Sequence, residues 1–121
     1  VTEKTSPRML KIWHTANLDG VRSSDPDLTM RQMTLLLTVY MTKGPHTVRG
    51  LAAKMNVTKP VITRALDTLG RMDLIKRKRD ESDRRNVLVQ RTVKGAVYLS
   101  EVSDRILAAE KTVDQELGDY E

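Results

Sequence analysis

The stretch TVRGLAAKMNVTKPVITRALDTLGRM, residues 47 to 72, constrains the chain more than any other, because it holds two amphipathic helical patterns with room for only a tight turn between them. Thr47 can cap the first, which runs about two turns and places Val48, Leu51, Ala52 and Met55 on one face. Asn56-Val57 breaks the pattern, and Thr58 can cap a second helix reaching to about Met72. At about 100° per residue, Val61, Ile62, Ala65, Leu66, Leu69 and Met72 of this second helix share one half of the wheel. Lys59, Pro60, Thr63, Arg64, Asp67, Thr68 and Arg71 share the other. Pro60 falls in the first turn, where its missing N–H forfeits no intrahelical bond.

Two short helices joined by such a turn fit the geometry of a helix-turn-helix. In that geometry the second helix enters the major groove of duplex DNA with its first turns against base edges, while its positive dipole end faces phosphate. Lys59 would then contact phosphate, and Thr63 and Arg64 would lie deepest. Arg64 is the candidate for a bidentate guanine contact, worth about 1 to 3 kcal/mol of discrimination. The plain alternative is that any amphipathic surface helix carries Lys, Thr and Arg on its wet face.

The segment that follows weighs against that alternative. LIKRK and NVLVQR, starting at Leu74 and Asn86, read as extended strands joined by the polar DESDRR stretch. They are too close for a crossover, so the spacing predicts an antiparallel hairpin. A basic ribbon directly after a helix-turn-helix makes a winged helix, whose tip arginines can enter a narrow minor groove. Lys76 and Lys78, with their arginine neighbours, would supply sequence-independent attraction, and the acidic residues in the turn would fix arginine geometry before binding. A nuclear localisation tag would explain the charge run but not the flanking strand patterns.

Elsewhere, residues 1 to 6 are polar and expected to fray. Ser6-Pro7 resembles a cap and first helical position for a helix over 7–20, with Met9, Ile12, Trp13 and Ala16 on one face. Thr29 can cap a helix in which Met33, Leu36, Leu37 and Tyr40 repeat, with Leu35 and Val39 widening the stripe, until Gly44-Pro45 stops it. His46 is placed in a loop. Beyond Val93, apolar spacing returns to a helical period as far as about Leu117. The reading is one domain over 1–121: an N-terminal helix at 7–20, a winged core at 28–94 and a C-terminal helix at 95–118. Its fold class is mainly α with a small antiparallel β-hairpin (α+β).

Composition narrows the function. Net charge is +5, and Thr58 to Lys94 alone carries eleven Lys/Arg against five acids, while the remainder has ten against eleven. A basic zone in a near-neutral chain is the footprint of polyanion binding. Cys is absent, which excludes disulfides, thiolate metal sites and cysteine redox sensing. The two histidines, His14 and His46, are far apart, no metal-ligand spacing or nucleophile–base motif is visible, and no apolar run is long enough to span a membrane. No catalytic residue, metal or cofactor is therefore expected, and the expected compartment is the cytosol. Six methionines at helical spacing are read as core filler.

Residues 28 to 95, and above all the wing with Asp-Arg-Arg at 83 to 85 followed by Thr-x-x-Gly at 92 to 95, resemble the MarR family of bacterial transcription regulators. The resemblance implies a homodimer whose N- and C-terminal helices interleave, with two winged lobes spaced for a pseudo-palindrome on double-stranded DNA. By position, Thr58, Lys59, Pro60, Thr63 and Arg64 match the start of the recognition helix. Arg85 matches the arginine that reaches the minor groove, and Arg84 one that contacts backbone or orients the wing, with Asp80 or Asp83 as its ion-pair partner. Asp73 stands where the family often has glycine, a place that asks for a left-handed backbone. Many members run longer at both ends, which implies either a smaller dimer interface or a shortened chain. Family analogy places a small-molecule effector pocket near Trp13, Met33 and Tyr40. The expected function is a sequence-specific DNA-binding transcriptional regulator, a repressor by analogy. The alternatives are a nucleoid-associated or replication-linked winged helix with low sequence preference, and a protein-interaction winged helix.

Overall fold

In the computed structural model, which describes residues 5–119, the elements run α1 (Thr5–Arg22), α2 (Met30–Met41), β1 (His46–Thr47), α3 (Val48–Met55), α4 (Lys59–Arg71), β2 (Ile75–Arg79), β3 (Val87–Arg91) and α5 (Val93–Asp119). The class is mainly α with a small antiparallel sheet. The described residues form two compact units, one from Leu28 to Tyr98 and one from the residues on either side of it. None of their helices is long and apolar enough to cross a membrane.

The central unit is built on α2, α3 and α4. Thr29 starts α2 with a reciprocal cap: its hydroxyl accepts from the Gln32 N–H at 3.1 Å, and the Gln32 side chain accepts from the Thr29 N–H at 2.9 Å. Leu35, Leu36 and Val39 of α2 are buried with Leu51 of α3, Ile62, Leu66 and Leu69 of α4, and Leu74, Ile75 and Val89 around the sheet. This shifts the α2 face from the expected stripe. Leu35 and Val39 lie at its centre, because α2 packs on α4 and β3 along that side, and Leu37 remains 38% exposed.

The sheet has three strands in the order β1-β3-β2. β2 and β3 form the expected hairpin, with Ile75 opposite Arg91, Arg77 opposite Val89 and Arg79 opposite Val87. The additional strand places His46 opposite Val89 and Thr47 opposite Leu88. His46 is thus in a strand rather than a loop, and two residues are too few to show an alternation in the sequence.

In the terminal unit, Arg8 of α1 donates to both carboxylate oxygens of Asp114 in α5, at 2.8 and 3.0 Å, and to Glu110 at 3.3 Å. Arg105 of α5 pairs with Asp25. Ala109 and Val113 are buried there, whereas Leu10 and Trp13 stay 67% and 60% exposed. α1 begins at Thr5, so Ser6 lies inside its first turn and is not the cap. Of the start expected to fray, residues 1 to 4 lie outside the described residues.

Candidate nucleic-acid interface

The turn between α3 and α4 is set by its caps. The Thr47 hydroxyl accepts from the Gly50 N–H at 2.9 Å, and Asn56 ends α3 in the left-handed conformation, with φ 55° and ψ 46°. Val57 N–H then bonds back to the Ala52 carbonyl at 3.0 Å. Thr58 occupies the N-cap of α4 with an extended backbone, but its side chain makes no capping bond, contrary to the sequence expectation. Pro60 in the first turn leaves one N–H fewer to satisfy, and the Thr58 carbonyl opens the helix by accepting from Ile62 N–H at 3.3 Å. The wheel divides as expected: Ile62, Ala65, Leu66 and Leu69 are buried, while Thr58, Lys59, Pro60, Thr63 and Arg64 are exposed on the opposite side.

The wing splits its basic run by strand alternation. Arg77 and Arg79 share a face with buried Ile75, and both are engaged within the molecule. Arg77 pairs with Asp67 of α4 at 2.8 Å, and Arg79 donates to the Arg84 carbonyl at 3.1 Å. Lys76 and Lys78 are exposed on the other face. The run is therefore not four equivalent charges.

At the tip, Asp80 N–H donates to the Asn86 carbonyl at 3.1 Å and Asn86 N–H to the Asp83 carbonyl at 2.9 Å. The Asp80 carboxylate accepts from the Ser82 hydroxyl at 2.7 Å and the Ser82 N–H at 3.0 Å. The Asp83 carboxylate accepts from the Arg85 guanidinium at 3.1 and 3.3 Å and from the Arg85 N–H at 3.2 Å. It thus pairs with Arg85, where the sequence expectation had Arg84. An aspartate turn of this kind brings the backbone two residues on back to the carboxylate, and the Arg85 side chain comes with it. These bonds hold both carboxyls below the usual aspartate range. For Asp80 the main cause is the Ser82 hydroxyl, and for Asp83 it is the Arg85 side chain. The Arg85 side chain itself remains 81% exposed.

The base of the wing holds a set of bonds that the sequence did not reveal. The Tyr40 hydroxyl donates to the Leu74 carbonyl at 2.7 Å, just before β2, and accepts from the Thr92 N–H at 2.9 Å, just after β3. The Thr92 hydroxyl donates to the Asp73 carbonyl at 2.7 Å and accepts from Gly95 N–H at 2.9 Å, tying the start of α5 to the same point. Asp73 has φ 58°, the left-handed backbone expected at its position. Arg91 stacks its guanidinium 5.8 Å from the Tyr40 ring centre and donates to the Val39 and Thr42 carbonyls at the end of α2, at 3.1 and 3.3 Å. The sequence places Tyr40 in an apolar stripe and, by family analogy, near an effector pocket, but not at the base of the wing. Nothing local signals a partner 52 residues away.

In form this is a helix with an exposed Thr, Lys and Arg face, beside a basic hairpin whose tip arginine is held in place. The MarR family matches the chain over residues 28–87. Among solved structures, a mutant of MepR from S. aureus superimposes with a TM-score of 0.74 at 22% identity, covering 96% of this chain and 84% of that one. S. aureus MepR in complex with DNA gives a TM-score of 0.66 at 22% identity, covering 95% and 88%. MarR gives 0.58 at 25% identity, covering 92% and 74%. No curated protein matches.

Proposed function

We propose that this chain, which belongs to the MarR family through its winged core, is a sequence-specific regulator of transcription that binds double-stranded DNA as a homodimer. The observation that carries the reading is the pairing, within one compact unit, of the exposed Thr58–Arg64 face of α4 with an Arg85 already oriented by Asp83. A helix of this width and polarity fits a major groove, and an arginine fork on a hairpin tip fits the adjoining minor groove. Preorienting Arg85 lowers the ordering cost on binding. The likeness to MepR, whose structure with DNA shares this fold, supports the same reading. The basic excess of Lys76 and Lys78 adds attraction to phosphate that carries no sequence information.

Arg64 is assigned to base reading, Lys59 and Arg84 to phosphate, Thr58, Pro60 and Thr63 to the docking surface of the helix, and Asp80 and Asp83 to shaping the wing. The exposed apolar side chains of α1, Leu10 and Trp13 among them, supply a surface for the second protomer. The regulator is read as a repressor acting in the bacterial cytoplasm, covering a pseudo-palindromic promoter site.

Selection from a random duplex pool gives the preferred site and its half-site spacing. On that site, Arg64→Ala should relax preference at one base pair, costing about 1 to 3 kcal/mol. Lys59→Ala should weaken all sequences alike and reduce the salt slope by about one. Equal weakening by both would favour a DNA-packaging protein with little sequence preference. Absence of salt-dependent binding to any duplex would defeat the DNA reading altogether.

A further inference from the structure

Asp67 is an anomaly on the proposed reading helix. It follows Thr63 by four residues and Arg64 by three, so it stands one turn along the same exposed side. A carboxylate there repels approaching phosphate. Its structural partner is Arg77 of β2, at 2.8 Å, with the two side chains 44% and 35% exposed. Arg77 in turn shares its strand face with Arg79, which donates to the carbonyl of Arg84, next to the Arg85 that Asp83 holds. The ion pair thus ties the middle of α4 to β2, and a separate set of bonds orders the tip beyond it.

We propose that Asp67 is a positioning residue for DNA binding: through Arg77 it sets the pitch of the wing relative to α4, so that helix and wing tip engage their two grooves together. The inference rests on the DNA-binding reading. Its physical content is a sign. If Asp67 were only a surface acid, neutralising it would remove repulsion and tighten binding. If it holds the wing, neutralising it frees Arg77, loosens β2 and weakens binding even though a negative charge has gone.

The test measures duplex affinity, minor-groove footprint and amide hydrogen exchange for the full chain. Asp67→Asn is expected to weaken binding by about two- to fivefold, the range of a partly exposed ion pair. Protection should be lost at the positions covered by the wing, the base preference read by Arg64 should be kept, and exchange should quicken across 75–91 in the free protein. Asp67→Lys combined with Arg77→Glu, which restores an ion pair at unchanged net charge, is expected to recover the footprint. Tighter binding by Asp67→Asn, or no recovery by the exchanged pair, would overturn the inference alone. Failure of the unaltered chain to bind any duplex would overturn the DNA reading and this inference with it.

Discussion

A Cβ at Gly95 would stand 1.9 Å from the Tyr40 hydroxyl oxygen and 2.3 Å from the Leu74 carbonyl oxygen. Neither atom can yield without breaking the bond between them and the Thr92 N–H bond to the same hydroxyl. Gly95→Ala is therefore expected to cost roughly 3 kcal/mol or more, read as a lower urea midpoint. Tyr40→Phe removes the hydroxyl without a clash and leaves two backbone groups unpaired, so about 1 to 3 kcal/mol is expected. Gly70 has the opposite sign. The nearest atom to a Cβ there is 3.8 Å away and the residue lies within α4, so Gly70→Ala should stabilise by about 0.5 to 1 kcal/mol. These sites differ in how far the sequence revealed them. Asp73 was legible only through the resemblance: it stands where the family often has glycine, and Asp tolerates the left-handed backbone that such a place asks for. The Thr-x-x-Gly signature pointed to Gly95 but not to its cause, since the close approach comes from Tyr40 in a different helix.

The elements most legible from sequence were those whose ends carry their own chemistry. Thr29 with Gln32, Thr47, and Asn56 each satisfy or redirect the backbone at a helix end, and each is visible within four residues of chain. β1 was not, because a pairing of His46 with Val89 is decided by where β3 lies. The wing was half legible. Its strands followed from composition, but which arginines of the basic run find partners depends on where α4 and the wing tip lie, so the engagement of Arg77 and Arg79 could not be read. Its turn yields a pH prediction. Asp80 and Asp83 titrate below the usual aspartate range when folded, so the order they lend the tip is fully present above that range and is lost as pH falls through their lowered values. Carboxyl titration by NMR should show both midpoints depressed. Arg85→Gln should move the Asp83 midpoint upward, because the Arg85 side chain is its largest cause, and leave Asp80, held by Ser82, depressed.

At the scale of the whole molecule, charge and apolar surface are apportioned in ways that single elements do not explain. The basic excess gathers between Thr58 and Lys94, whereas residues 101 to 121 carry seven acids against two bases. A polyanion is thus drawn to one stretch of the chain. The expected inward face of α1 is not buried by this chain alone: Ile12 and Ala16 are half-buried, but Met9 and Trp13 are exposed, as is Leu10 beside that face. Scattered exposed apolar residues need no explanation, but three within five positions of one helix do. The proposed second protomer would supply it, and the consequence is measurable. At micromolar concentration the solution mass should be twice the 13.7 kDa of one chain. Leu10→Glu places a charge where a monomer would barely feel it, within about 0.5 kcal/mol for an exposed site. A dimer would be weakened, because that charge would be desolvated at the interface. The variant is therefore expected to fold, to sediment as a monomer, and to lose about a hundredfold or more in affinity for a two-half-site duplex, since each lobe then binds without the effective concentration of the other. Binding to a single half-site should be nearly unchanged, which separates loss of the second lobe from damage to the first. A monomeric unaltered chain, or a variant that keeps full affinity for both half-sites, would contradict the dimer.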